Sequence, residues 1–254
     1  MRKGRIVIMI ILVLITLFCG VRFFGIKKDR EENSEAFAQL SELIDSEGES
    51  PYAELAAKNS DFIGWISIAG TNVNYPVMQT RDNPDYYLKH NFEKEYSDFG
   101  VPYLDASCVL GQSNNLIIYG HHMNDGSMFA DIEKYKDSSF WLEHQTIDFS
   151  TTESNGKYTV IAAFAFDTNN EKFNYTHYAN MTESEFNEYL REISKRSIYK
   201  TSAKAEYGDE LITLSTCEYT HSNGRFVVVA KKVAAKILCS EGRRYNFLRL
   251  GARR

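Results

Sequence analysis

Cys217 closes the run Leu211-Ile212-Thr213-Leu214-Ser215-Thr216-Cys217, and the polar stretch from Glu218 to Gly224 follows it. This is the pattern of a strand entering a loop. A thiol at a strand tip is accessible, and with a base beside it a thiolate forms covalent intermediates. Arg225 opens the next apolar run, Phe226 to Val229. A hairpin would bring its side chain close to the cysteine. The competing reading is a small buried residue capping a sheet, because free cysteine packs as a hydrophobe. Local sequence leaves both open.

The base has six candidates: His90, His121, His122, His144, His177 and His221. His121 and His122 stand apart because they follow Gly120 at the end of the apolar run Leu116-Ile117-Ile118-Tyr119. A histidine at a strand end beside glycine can project into a groove floored by the sheet. A His-His pair also suggests a metal, but neighbours on an extended strand face opposite ways and rarely share one ion. No H-E-x-x-H pattern is present. The site residues are therefore read without a metal. Of the four cysteines, Cys19 lies in an apolar N-terminal run and Cys239 in a basic tail. Cys108 and Cys217 remain; they form no C-x-x-C pair, and one bridge between them is compatible with the spacing.

These residues need a scaffold. The runs GWISIAG, TNVNYPVMQ, NLIIYGHH, YTVIAAFAF, ELITLSTC and RFVVVAKKV are short and rich in β-branched and aromatic residues. They predict a mainly antiparallel sheet or closed barrel. Residues 31–58 read as helical, with Phe37, Leu40, Leu43 and Ile44 at helical spacing and Pro51 opening a second short helix over 51–58. Thr182-Glu183-Ser184-Glu185 is a capping box, followed by Phe186, Tyr189, Leu190 and Ile193 at i, i+3, i+4, i+7. One amphipathic helix over 183–196, packed on the core, is expected.

Charge divides the 254-residue chain in three. Its net −5 separates into +6 over 1–30, −16 over 31–233 and +5 over 234–254. An acidic body between basic ends argues against nucleic-acid binding, which needs a basic face. From Ile6 to Ile26 the one charge is Arg22, and at 1.5 Å per residue such a run crosses a hydrocarbon core of about 30 Å. A cleaved signal peptide is the rival; the A-x-A pattern Ala36-Phe37-Ala38 falls late, beyond the charged stretch from Lys27 to Glu32. An uncleaved anchor is therefore expected. Basic residues flank it almost equally, so charge alone does not orient it.

Thr213-Leu214-Ser215-Thr216-Cys217 resembles the T-L-x-T-C signature of sortases, and Arg225 matches their second catalytic element. Tyr119-Gly120-His121-His122-Met123 is similar to the Y-G-H-H-M segment of class B members. Gly64-Trp65-Ile66, Tyr75-Pro76-Val77, Asp82-Asn83 and Tyr87-Leu88 agree as well. The resemblance spans about 33–233. It implies a mainly β fold: a sortase-like closed barrel with two N-terminal helices and one inserted amphipathic helix, preceded by a transmembrane helix. The implied domains are an N-terminus and anchor over 1–30, a catalytic domain over 31–233, and a basic tail over 234–254 that has no counterpart in the family pattern and is expected to be poorly ordered and dispensable.

The resemblance further implies a membrane-bound cysteine transpeptidase of Gram-positive-type cells, with the N-terminus cytoplasmic and the catalytic domain outside. Cys217 would be the nucleophile, His121 the acid and base, and Arg225 the oxyanion or carbonyl partner. Ser215 and Glu218 would contact substrate. The implied partners are the C-terminal sorting signal of a surface protein, cleaved after Thr, and an amine of a peptidoglycan precursor or of another surface protein. No metal or organic cofactor is implied. A peptidase that only hydrolyses, or an anchored binding module in which Cys217 is structural, are the alternatives. His221 and Asn223 are expected in a loop, and Cys108 as a structural residue.

Overall fold

The computed structural model describes residues 2–45, 51–169, 173–218 and 223–233. The expectations for His221 and for the tail over 234–254 lie outside them.

Alternating apolar residues make the strands. In β6 (Asn155–Asp167), Tyr158, Val160 and Ala162 turn inward while Lys157 faces solvent, the period of two that a half-buried strand requires. The described residues hold seven more strands: β1 (Phe62–Ser67), β2 (Asn74–Met78), β3 (Tyr103–Leu104), β4 (Asn115–Gly120), β5 (Thr146–Ser150), β7 (Leu211–Glu218) and β8 (Gly224–Lys232). They close into a barrel in the order β1-β2-β3-β4-β7-β8-β6-β5. Closure leaves no unpaired edge. The interior holds Ile66, Val77, Ile117, Phe164, Leu214 and Val228, all buried. Pairing is mainly antiparallel, as expected, with two exceptions: β2 with β3, and β4 with β7.

All six strands read from the sequence are present. β3 and β5 add to them. β3 is two residues long, too short for any periodicity. β5 does alternate, with Ile147 and Phe149 buried, and Ser154-Asn155-Gly156 marks its turn into β6, but two inward residues are too few to stand out as a strand.

The helix over Glu183–Arg196 (α4; α3 is Ser138–Glu143) starts and stops where its sequence predicts. Its capping box is formed: Glu185 N–H donates to Thr182 Oγ1 at 3.4 Å, and Thr182 N–H to Glu185 Oε2 at 2.8 Å. Phe186, Tyr189 and Ile193 are buried. Tyr189 Oη lies 2.9 Å from Thr213 Oγ1 of β7, and Thr213 Oγ1 donates to Asn115 Oδ1 of β4 at 2.8 Å. This buried chain ties α4 to the two strands that carry the candidate cysteine and histidine. Satisfied polar networks of this kind fix one arrangement of a core.

The N-terminus differs from expectation in one respect. The expected anchor and the first expected helix are one continuous helix, α1 (Arg2–Asp45). Lys27 with Glu31 and Lys28 with Glu32 form i,i+4 pairs across the charged stretch, and no proline interrupts it; such pairs support a helix instead of ending it. One end, from Ile6 to Phe24, exposes an apolar stretch long enough to cross a membrane by length and composition. The other end packs Phe37 and Leu40 on the barrel. The second helix, α2 (Pro51–Lys58), begins at the expected proline.

Candidate active site

β4 and β7 run parallel, with Tyr119 opposite Ser215 and Gly120 opposite Thr216. The next residues along, His121 and Cys217, therefore leave the two strands at the same level. β8 returns antiparallel beside β7 with Arg225 directly opposite Cys217. Three neighbouring strands thus deliver an imidazole, a thiol and a guanidinium to one rim of the barrel. All three side chains are half-buried. Asn223, in the turn before β8, has φ +70°, a left-handed conformation that asparagine tolerates better than most residues. Its carbonyl accepts from Thr168 N–H and Oγ1 at 3.3 and 2.9 Å.

His121 Nε2 lies 2.7 Å from the carbonyl oxygen of Leu88. A carbonyl can only accept, so Nε2 carries the proton and Nδ1 is the lone-pair nitrogen of the neutral ring. Burial holds the His121 pKa below the ordinary histidine value, and the Leu88 hydrogen bond opposes that shift. His122 turns elsewhere, with Nε2 3.2 Å from Glu133 Oε2. The two neighbours point apart, as the extended backbone requires. His90 stacks on Tyr86 and bonds its carbonyl at 2.7 Å, and His144 bonds the carbonyl of Ala69 at 2.8 Å. Both are structural.

Ser215 is buried, and its Oγ lies 2.6 Å from Tyr175 Oη. Burial raises the Tyr175 pKa, while nearby Arg225 opposes the rise. Tyr103 stands on the same side: its ring is 5.4 Å from that of Tyr119, its hydroxyl donates to Asp85 Oδ1 at 3.2 Å, and Arg225 lies within electrostatic reach. Tyr119 Oη donates to Asp105 Oδ2 at 2.8 Å. The backbone of Glu218 ends β7 opposite Gly224. The sequence gives Tyr103 and Tyr175 no role, and Leu88 enters only as a match to the class B pattern, with nothing pointing to its carbonyl.

Cys108 and Cys217 are free thiols, so the bridge their spacing allowed is not formed. Cys108 is fully buried, its Sγ 3.4 Å from both Asn115 O and Ile117 N. Burial pushes its thiol up to about 12. A neutral, enclosed thiol is inert, which leaves Cys217 as the reachable thiol of the body.

A closed barrel with this rim is the framework of a cysteine acyltransferase. Residues 66–233 match the sortase domain family. Sortase B of Listeria monocytogenes is 36% identical over 183 residues, covering 71% of this chain and 73% of the relative. Sortase B of Staphylococcus aureus is 32% identical over 241 residues, covering 91% and 97%. Among solved structures, the Staphylococcus aureus sortase B–substrate complex superposes with a TM-score of 0.72 at 28% identity, covering 82% of this chain and 97% of the other. Clostridium perfringens sortase B gives 0.66 at 29% identity, covering 71% and 98%. The chain belongs to the sortase family, in class B, and is a sortase-type cysteine transpeptidase.

Proposed function

We propose that Cys217 cleaves a C-terminal sorting signal after threonine and transfers the new acyl end to an amine at the cell surface. The carrying observation is the register that sets His121, Cys217 and Arg225 at one level on adjacent strands. As the Cys217 sulfur adds to the threonine carbonyl its thiol proton passes to the neutral His121, and Arg225 stabilises the oxyanion. The C–N bond breaks as the protonated His121 gives its proton to the leaving amine, forming a thioester. An incoming amine then attacks the thioester, His121 takes the amine's proton, and Cys217 leaves as the thiolate. Glu218 flanks the cleaved bond, while Ser215, buried against Tyr175, supports the rim from beneath and does not reach the substrate as the resemblance implied. The acceptor is an amine of a peptidoglycan precursor or of another surface protein. Residues 1–30 place the N-terminus in the cytoplasm and anchor a catalytic domain over 31–233 outside, with the tail over 234–254 dispensable.

The test is the full chain in detergent micelles, incubated with a library of sorting peptides and an amine acceptor. Mass spectrometry should find the acyl group on Cys217 and a ligated product. Cys217→Ala, His121→Ala and Arg225→Ala should each lose turnover by at least about 10³-fold while remaining folded, the scale seen when one group of an acyl-transfer site is removed. An active Cys217→Ala chain would sink the mechanism, and release of free acid alone would reduce it to hydrolysis.

A further inference from the structure

His121 begins a loop that leaves β4 and returns at Phe129, whose N–H donates to the His121 carbonyl at 2.8 Å. The far side of that loop rests on the part of α1 that follows its apolar stretch. Arg30 Nε lies 3.0 Å from Asp125 Oδ2. Asp125 Oδ1 accepts from Ser127 N–H and Oγ at 3.0 and 2.6 Å, so the carboxylate that meets the helix also shapes the turn. Phe37 of α1 packs edge-on against Tyr75 of β2, with ring centroids 5.2 Å apart. Tyr75 Oη in turn accepts from the N–H of Met128 at 3.0 Å. Met128 has φ +56°, a conformation a methionine holds only when its surroundings impose it. The loop is held at its base by that backbone hydrogen bond and the His122–Glu133 pair, and at its tip by Asn72 Nδ2 donating to the Gly126 carbonyl at 3.2 Å together with two contacts traceable to α1.

We propose that Arg30 and Tyr75 are positioning residues for His121, so that the anchor helix, through its seat on the 121–129 loop, sets the placement of the acid and base. The inference rests on the role given to His121 above. A group that hands over a proton must be placed to within a fraction of an ångström, and a remote contact that releases it lowers turnover without touching substrate affinity. Neither Arg30 nor Tyr75 is assigned any contact with substrate.

Arg30→Glu sets two carboxylates against each other at the tip. Asp125→Asn removes that repulsion while keeping an oxygen for Ser127. In the full chain in micelles, Arg30→Glu should lower kcat about tenfold, with KM within about twofold of the parent. Adding Asp125→Asn should return kcat to within about threefold, a rescue that general loss of stability would not give. Tyr75→Phe, which keeps the ring on Phe37 and removes the Met128 acceptor, should lower kcat in the same way and carries the test if Arg30→Glu does not fold. Unchanged kcat in a folded Arg30→Glu chain, or a loss that Asp125→Asn fails to restore, would overturn the proposal. His121→Ala measured beside them separates the two levels. If it is inactive while Arg30→Glu and Tyr75→Phe are fully active, only the positioning role fails; if it keeps full turnover, the role of His121 fails and the proposal with it.

Discussion

Gly120→Ala is the sharpest perturbation of the rim. A Cβ at this position would stand 2.5 Å from Cγ of Phe129 and 2.6 Å from its Cδ2, about 0.9 Å short of ordinary contact. Phe129 is fully buried, so its ring has no solvent side to swing into. It is also bonded through its N–H to the carbonyl of His121, the residue next to the substitution. Relief must therefore come from the tip of β4 or the start of the loop, and both carry His121. Overpacking of this kind costs about 1–3 kcal/mol. For a domain of this size, each kcal/mol lowers Tm by roughly 2–4 °C. The larger effect should be catalytic, because displacing a reacting group by about 1 Å costs up to about 10²-fold. We expect kcat/KM for peptide ligation to fall about 10- to 100-fold at a temperature where melting curves show the variant folded. Activity within about twofold of the parent, with an unchanged Tm, would show that the rim yields freely and that the strand register does not fix His121.

The His121 pKa offers a second check. Burial lowers it in the folded chain, so between that value and about 6.5 the unfolded chain binds more protons, and stability falls as the pH is lowered through this window. Histidine carbon–proton spectra should give a His121 midpoint below that of the free side chain, and His121→Gln should flatten the corresponding part of the Tm-against-pH curve; a midpoint at or above 6.5 would contradict the burial argument. Thr182→Ala removes the N-cap of α4 and should cost about 1 kcal/mol, read as a Tm lower by a few degrees, with kcat at 25 °C unchanged. A fall in kcat would mean that α4 transmits to β7 through Tyr189 and Thr213 even when it remains folded.

Local signals located most elements but not their joining. The capping box marks the start of α4 because two side chains and two backbone groups satisfy each other within one turn. Pro51 opens α2 because its ring fits the first turn and its missing N–H costs nothing there. The union of the anchor with the first body helix was not legible in the same way. A charged stretch after an apolar run looks like a boundary, yet lysine and glutamate four apart support a helix by a few tenths of a kcal/mol per pair and so let it continue. That continuity carries Arg30 to Asp125 and so brings the helix that bears the apolar stretch into contact with the loop that begins at His121.

The site itself depends on one property that periodicity cannot encode, the direction of pairing between distant strands. The cysteine and arginine are joined by a hairpin, so their proximity follows from a short loop and antiparallel return, and Cys217 lies opposite Arg225 as that geometry demands. His121 is 96 residues earlier than Cys217, and antiparallel pairing of β4 with β7 would have sent it to the other end of the barrel. Parallel pairing puts both C-terminal strand ends on one rim, but it requires a long connection between them. The chain supplies that connection with β5, β6 and α4, and the Tyr189–Thr213–Asn115 hydrogen bonds then lock the crossover onto both strands at once. A register slip of one residue would turn His121 to the opposite face, so the buried network beneath β4 and β7 secures the alignment on which the chemistry at the rim depends.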